Sequence, residues 1–549
     1  MALCPAYADG LWVSVVIATF NRPELLRRLL LQFEAQTLPK DRFEVIAVDD
    51  GSREDMRVAL ADLATSYRLR IERQANAGAA RARQRGAEMA EGHVLVILDD
   101  DMQVGPDYLE RHLEHHVDDH TVTLGRFRPS ASLEGMPLFE RFYAKILAEV
   151  FEGHTRGPVR GHQMYTGNVS IARRLFLEAG GFDPAFKAIE DEELGIRLEK
   201  AGARFGFAND AESLHGSDWT SMKKWMDRCY RDGVYQTKVA RKHPDAPESS
   251  PWRHLPNLNP ISRPFMALAL ASPLSAQVIA GTAIRTAAAL DRVGLEPVAI
   301  AGATFVYGLQ YYRGVRQETG SLGDVRREYA EFKRGIAEMA RERGADPSLG
   351  AMLEAIREDH RTMEFYAEKY DDRRDGALDE AAASLGAKAM PYASLARVGS
   401  DAVKKIGFQL LVAYRVMRWF RARGMILGAQ FVSRLIRHAF GSDIHWDAEL
   451  APGVMVVHGF GMAISYAARV REGCILFQNV TLGYGPGEDR ALGSGAPLLE
   501  RGVHVGIGAT LYGPITIGEG SKIMAGCVVS QSCPARSVIE APTPAVRPR

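Results

Sequence analysis

Asp99, Asp100 and Asp101 stand in a row directly after the apolar run His93–Leu98 (HVLVIL). Three adjacent carboxylates repel one another unless a cation offsets their charge, and hard oxygen ligands favour magnesium or manganese. If the backbone stays extended, Asp99 and Asp101 project to the same side and offer two ligands, with Asp100 turned away. A second acidic pair, Asp49-Asp50, ends the run Phe43–Val48 (FEVIAV), and a third cluster, Glu190-Asp191-Glu192-Glu193, follows Gly181-Phe182-Asp183. That third cluster also reads as an acidic first helical turn favoured by the helix dipole. Far along the chain His458 sits within a repetitive stretch of apolar and small residues, and imidazole is the side chain that exchanges a proton near neutral pH.

The elements that must hold these groups are legible from periodicity. Val13–Ala18 (VSVVIA) is an apolar, β-branched run suited to a buried parallel strand, and Pro23–Phe33 repeats leucine at helical spacing. Strands alternate with helices, as in an open α/β sheet, where ligands sit at the carboxyl ends of strands; two of the acidic groups fall there. Toward the C-terminus Ile444, Leu450, Val456, Met462, Ala468, Cys474 and Val480 recur every sixth residue, and after an interruption Val503, Ala509, Ile515, Ser521 and Cys527 resume the beat. This period suits a coil whose triangular turn has three short faces, each placing one side chain inward, and it predicts a parallel β-helix. Between these regions, from about 245 to 440, the chain reads as mostly helical behind a proline-rich connector (HPDAPESSPWRHLPNLNPISRP), and Leu410–Phe440 is amphipathic.

The 549 residues, 46% hydrophobic and 25% charged, are ordinary globular material with room for two or three cores. Sixty-eight basic residues balance 68 acidic ones, so no global charge points to nucleic acid. Cys4, Cys229, Cys474, Cys527 and Cys533 show neither a disulfide framework nor zinc spacing, which fits a reducing cytoplasm. The start MALCPAYADG lacks the features of a secretion signal, and a cytoplasmic location is expected. Between Arg263 and Arg285 no charge occurs, but Ser272, Pro273, Ser275, Gln277 and Thr282 lower the hydrophobicity. Buried helices are the first reading of this stretch, and peripheral contact with the inner membrane face is the second.

The motifs VSVVIATFNRPELL, VIAVDDGS, NAGAARARQRG, VLVILDDDM and FKAIEDEELGIRLEKAG occur in the order seen in inverting family 2 glycosyltransferases of the GT-A fold, and residues 10–245 resemble that family. The resemblance implies a Rossmann-like mixed α/β sheet, a nucleotide-sugar donor, and Mg2+ or Mn2+. It implies that Thr19, Asn21, Asp49 and Asp50 hold base and ribose, that Arg83 approaches the diphosphate, and that Asp100 belongs to the same donor-binding set. Asp99 and Asp101 look like the metal-binding pair, and His215, in SLHGSDW, falls where the family places a histidine near the metal or diphosphate. Asp191 is implied as the base. An inverting transfer needs a carboxylate to take the acceptor hydroxyl proton while that oxygen attacks the anomeric carbon opposite the leaving nucleotide. Trp219 and Trp225 are assigned no role.

The C-terminal part resembles the hexapeptide-repeat acyltransferases, most closely serine acetyltransferase, through SDIHWDAELAPGVMVVHGFGMAIS, with Asp443 and, fifteen residues on, His458. The resemblance implies a left-handed parallel β-helix, a homotrimer with active sites between subunits, and transfer from acetyl-CoA or another acyl-CoA. His458 would remove the acceptor hydroxyl proton and Asp443 would orient it. Gly506-Ile507-Gly508-Ala509 and Ala525-Gly526 match small residues along the family's pantetheine groove, with Gly508, Ala509 and Gly526 as contacts, although coil corners carry small residues in any case. His445 and His504 do not match the base position and read as structural. Where the family grips serine with an arginine-histidine pair before a proline, this chain has Gly495-Ala496 before Pro497, with Arg490 further back. A sugar hydroxyl is therefore the expected acceptor.

The expected chain is multidomain α/β plus β: a GT-A domain over 1–245, a helical connector over 246–400, and amphipathic helices with the β-helix over 401–549. Its expected function is bifunctional transfer, of a sugar to a saccharide or lipid-linked acceptor and of an acyl group to a hydroxyl, in cell-surface polysaccharide or glycolipid synthesis. Two alternatives stand beside it. One keeps the glycosyltransferase and makes the coil a non-catalytic trimerising scaffold; the other is a serine O-acetyltransferase with an accessory sugar-binding domain.

Overall fold

The computed structural model describes residues 11–130, 136–156, 159–216, 221–259, 261–371, 390–485 and 495–541. The chain divides into two compact units, Met1–Glu328 and Tyr329–Arg549.

The first unit is built on one eight-stranded sheet. Its strands are β1 (Val13–Thr19), β2 (Phe43–Asp49), β3 (Arg68–Arg73), β4 (Val94–Asp99), β5 (Met102–Val104), β6 (Thr121–Pro129), β7 (Asn168–Ala172) and β8 (Arg204–His215), in the order β3-β2-β1-β4-β7-β6-β8-β5. The strands from β3 to β4 run parallel, and β7 runs antiparallel to both β4 and β6, so the sheet is mixed. β1, β2 and β4 are buried almost throughout, which is why they read as near-continuous apolar runs instead of alternating, interrupted inside by Ser14 and Glu44, whose side chains bond each other. Helices Pro23–Glu34 and Ala79–Met89 alternate with them, giving the Rossmann-like arrangement. The strand order reverses at β1, which has β2 on one side and β4 on the other. Connections leaving such neighbours in opposite directions open a crevice at their carboxyl ends. Register sets Ala18 beside Asp99 and Thr19 beside Asp49 at that crevice.

The uncharged stretch after Arg263 forms two helices, Arg263–Ala271 and Pro273–Arg292. Pro273 has no N–H to continue the first helix and disfavours helical geometry at Ser272, whose φ is −137°. Among the described residues no helix is long and apolar enough to cross a membrane.

The second unit stacks short parallel strands into three sheets, two of five strands and one of four. Every residue that the six-residue beat predicts as inward is buried, but the beat is not one column. Ile444 stacks on Ile464 and Leu482, while Leu450 stacks on Val470 and Val456 on Leu476. Met462, Ala468, Cys474 and Val480 lie two residues before these strand positions, and in extended chain positions two apart face the same way. Each face therefore sends two side chains inward, not the one expected. The beat slips by two residues between Val456 and Ile464, at the corner made by His458-Gly459-Phe460-Gly461.

Leu410–Phe440 forms two helices, Ile406–Ala422 and Ile426–Phe440, parted at Gly424, whose φ of 68° suits glycine. Leu410, Leu411, Tyr414 and Met417 join the coil's own core, whereas Phe431 and Leu435 of the second helix are exposed. Arg415 anchors the first of these helices. It bonds both carboxylate oxygens of Asp359, at 2.8 and 2.9 Å, and the carbonyls of Leu450 and Ala451. Both partners of this pair are buried. Asp359→Ala leaves a buried guanidinium without its counter-charge and is expected to cost about 3–5 kcal/mol, read as a fall in the thermal midpoint of the second unit's transition.

Candidate active sites

β4 stops at Asp99, and the chain turns through Asp100-Asp101 before β5. The extended geometry expected of the triplet is thus absent, and Asp100 is not turned away: all three aspartates line one cavity of about 660 Å3 at the crevice between β1 and β4. The clustered charge is managed by named partners. Thr19, ending β1, donates its hydroxyl to Asp100 at 2.8 Å, and Arg22 donates to Asp100 at 2.8 Å and to Asp101 at 3.3 Å. Burial still raises the Asp100 carboxyl above the ordinary range, with Arg22 opposing. Arg83, from helix Ala79–Met89, reaches Asp99 at 2.5 Å and Glu190 at 3.0 Å, and these carboxylates hold its buried guanidinium charged. His215 ends β8 opposite Met102 of β5, which sets its Nε2 3.6 Å from an Asp101 carboxylate oxygen.

Asp99, Asp101 and His215 thereby present oxygen and imidazole donors to one space, a donor set suited to manganese or magnesium. Gly167 keeps that space open: a Cβ there would lie 3.2 Å from Asp99 Oδ2 and 3.0 Å from Met102 Cε. The donor types suit a divalent cation, while the group whose ligand atoms all lie within 4.8 Å of one another among the described residues is His360, Glu364 and Asp401.

Asp191 enters the same cavity from the start of helix Glu190–Lys200. The residue before this helix, Ile189, has φ 58°, a left-handed conformation that a β-branched residue rarely adopts and that carries strain. Glu193, one turn in, is fully buried against Arg197, Lys242 and His243 and fixes the helix in place. Burial, with Glu190 adding repulsion, pushes the Asp191 carboxyl up to about 7. Glu192, also pushed up to about 7 by burial, accepts a hydrogen bond from Gln236 at 2.7 Å. The cluster is at once an acidic first turn and the source of a carboxylate poised near neutral pH.

The other residues expected around the donor separate. Asp50 lines the cavity, but its carboxylate is taken up by Gln74 and by the backbone N–H groups of Ala77 and Gly78, so it shapes the loop before helix Ala79–Met89. Asp49 does not reach the cavity. It is fully buried, accepting from the N–H of Ser52 and of Met56 and lying 3.5 Å from Arg73. Asn21 is exposed beside the cavity with φ 57°, and its side chain accepts from Arg53 N–H. Both organise the β2 loop where base and ribose contact was expected. Trp225 stacks on Phe139 in the core, and Trp219 lies outside the described residues. The sequence reading missed Arg22, Arg228, Arg231 and Asp232, which also line the cavity. Arg22 lies inside VSVVIATFNRPELL, whereas the single charges of Arg228, Arg231 and Asp232 on a helix look like a solvated face.

In the second unit His458 is exposed at a coil corner with φ 69°. Backbone hydrogen bonds stack this corner on those below: Asn479 N–H donates to Phe460, Gly508 N–H to Gln478 and Gly526 N–H to Ile507. Gly508 and Gly526 therefore share a column with the His458 corner. Both have positive φ, 68° and 70°, and a Cβ on either would meet nothing within 4 Å, so the column faces open space. Ala509 differs: it is fully buried, its methyl belongs to the coil core, and only its backbone can face a groove. Asp443 lies beside the corner because the Ser442 hydroxyl donates to the Gly459 carbonyl at 2.9 Å. Its carboxylate accepts from Arg437 at 2.9 Å, and among the described residues no hydrogen bond joins it to His458. Burial pushes His504 down to about 4 and also lowers His445, with Asp447 opposing. Arg490 lies outside the described residues.

Residues 14–176 match the family model "Glycosyl transferase family 2". Over 128 residues, 23% of this chain, the sequence is 38% identical to a serine acetyltransferase of Synechococcus elongatus and covers 51% of that protein. It is 28% identical over 267 residues to the validoxylamine A glucosyltransferase of Streptomyces hygroscopicus subsp. limoneus, 42% of this chain and 57% of that one. The chain thus spans about half the length of the curated relatives it matches. Among solved structures, a mannosyltransferase from Pyrobaculum calidifontis in complex with GDP-Man and Mn2+ aligns at TM-score 0.40 and 18% identity, covering 57% of this chain and 89% of that one. One polypeptide therefore joins an N-terminal glycosyl transferase family 2 domain to a C-terminal part similar to serine acetyltransferases.

Proposed function

We propose that the chain is a bifunctional transferase whose first unit transfers a sugar, with inversion, from a nucleotide-sugar donor to a saccharide or lipid-linked acceptor. The observation that carries this reading is the convergence of Asp99, Asp101, His215, Arg83 and Asp191 on one cavity at the point where the strand order reverses. Asp191 takes the acceptor hydroxyl proton as that oxygen bonds to the anomeric carbon, and the bond from that carbon to the diphosphate breaks with its electron pair leaving on the nucleotide. Mg2+ or Mn2+ held by Asp99, Asp101 and His215 would offset charge on the departing diphosphate. Arg83, bridging Asp99 and Glu190, keeps the donor side and the base side of the cavity in register.

In the second unit we assign O-acyl transfer from acetyl-CoA or another acyl-CoA to a hydroxyl, with His458 as the base and Asp443 as its partner. The similarity to serine acetyltransferases and the open column beneath His458 support this. Asp443 must then exchange Arg437 for His458. A homotrimer of left-handed coils would close the groove, and the domains divide at about 245 and 400. A cytoplasmic enzyme of cell-surface polysaccharide or glycolipid synthesis, in peripheral contact with the membrane, is the setting we propose.

Release of nucleoside diphosphate from a panel of nucleotide sugars tests the first activity. Turnover of at least one donor with Mn2+ or Mg2+, abolished by EDTA and restored by added metal, is expected. Turnover unaffected by the chelator would remove the metal from the mechanism.

A further inference from the structure

A second chamber, of about 600 Å3, adjoins the donor cavity. Phe127, Tyr143, His215, Arg228, Asp232 and Tyr307 line both, so the two spaces meet at these residues. Beyond the junction the wall changes character. Phe139, Phe142, Leu147 and Phe151 come from helix Leu138–Arg156, Trp225 from helix Met222–Lys242, and Tyr311 from helix Glu296–Thr319. Arg126 and Arg128, also on the wall, are bonded to Asn209 and Glu212 toward the surface.

A bound sugar or nucleotide would lose its hydrogen bonds to water in such a chamber and find few replacements, whereas a hydrocarbon chain would lose nothing. The junction supplies polar chemistry. Arg228 donates to the Tyr143 hydroxyl at 3.2 Å, Tyr307 donates to Asp232 at 3.4 Å, and Arg231 faces the donor cavity. Arg228 is matched at the junction by the Asp232 carboxylate, and Arg231 shares the donor cavity with Glu190, Asp191 and Glu192, so the junction offers hydrogen-bonding partners without a positive excess. The neighbouring helix Pro273–Arg292 exposes Leu274 (78%) and Val278 (70%) one turn apart, and Phe265 and Val298 are also exposed nearby in the chain. Leu274 and Val278 form an exposed apolar pair on one helix face.

We propose that the sugar acceptor is carried on a long hydrocarbon chain, which occupies the aromatic chamber while its polar end sits at the junction beside Arg228, Tyr143 and Tyr307 and the acceptor hydroxyl reaches Asp191. This rests on the glycosyltransferase reading and narrows its acceptor.

Hexyl, octyl and decyl phosphate, titrated below their micellar concentrations into the full chain with a nucleoside diphosphate and Mn2+ and followed by calorimetry, test the proposal. The dissociation constant is expected to fall about fourfold per added methylene. Thr304, exposed on the chamber wall, provides the block. Thr304→Trp is expected to weaken decyl phosphate about tenfold or more and to leave nucleoside diphosphate binding unchanged, which also reports that the variant folds. Affinity independent of chain length, or decyl phosphate binding unaltered in Thr304→Trp, overturns the proposal. If no nucleoside diphosphate binds while chain-length dependence persists, the donor reading fails and the chamber's hydrocarbon ligand stands.

Discussion

Asp191→Asn is expected to lower the rate of sugar transfer about 10²–10⁴-fold while leaving the affinity for nucleoside diphosphate and metal unchanged. The amide keeps the shape of the carboxylate and still accepts the Glu192 N–H, seen at 2.9 Å in the wild type, so helix Glu190–Lys200 is not disturbed. What is lost is the capacity to take a proton. Burial and Glu190 push the Asp191 carboxyl up to about 7, and only the charged form is a base. Wild-type transfer should therefore rise with pH through about 7 and level off above it, and the residual rate of the variant should lack that rise. The stability effect has the opposite sign. A carboxyl raised in the folded state contributes stability that is fully present below its unfolded value and is lost as pH rises through the folded one. At pH 8 the wild type holds a costly buried charge and Asp191→Asn does not, so the variant's thermal midpoint is expected to be at or above the wild type's. A kcat loss with unchanged pH dependence would move the base elsewhere, Glu192 being the nearest candidate with a similarly raised carboxyl.

His458→Asn is expected to lower acyl transfer, measured as CoA thiol release in the presence of saccharide acceptors, by about 10²–10⁴-fold. Asparagine is chosen because His458 has φ 69°, and asparagine adopts this left-handed conformation readily where alanine does not. The corner then keeps its path, and loss of activity reports loss of the imidazole. Sugar transfer should not change, since the other proposed site lies wholly in the first unit. Equal CoA release by wild type and variant would leave the coil as a trimerising scaffold.

Much of this architecture was legible because burial imposes simple patterns. β1, β2 and β4 are covered on both faces and advertise themselves as apolar runs, with the acidic residues at their carboxyl ends. The coil advertises itself by its beat, since each inward position admits only an apolar or small side chain. What stayed hidden depends on where the backbone bends. The triplet Asp99-Asp100-Asp101 looks the same extended or turned, and only the end of β4 at Asp99 brings Asp100 to the cavity. Asp49 and Asp50 are adjacent and chemically alike, yet Asp49, the last residue of β2, turns into its own loop, while Asp50, just past the strand, lines the cavity with its carboxylate held by Gln74, Ala77 and Gly78. β3 (RLRIER), at the edge of the sheet and only partly buried, carries too many charges to stand out as a strand. The two-residue slip at His458 was invisible because both inward columns keep the same period on either side of it. The junction residues Arg228 and Asp232 lie on a helix whose charges otherwise resemble a solvated surface.

The most direct test of two sites in one chain is a thermal-shift titration of the purified full-length protein, with nucleoside diphosphates plus Mn2+ in one arm, CoA and acetyl-CoA in another, and both together in a third. A ligand that binds only the native state raises the midpoint in proportion to the logarithm of its concentration over its dissociation constant. Stabilisation by one nucleotide, separate stabilisation by CoA, and both effects retained when the two are combined is the expected result. Stabilisation by the nucleotide but none by CoA or acetyl-CoA at millimolar concentration would contradict a second transferase site in the coil.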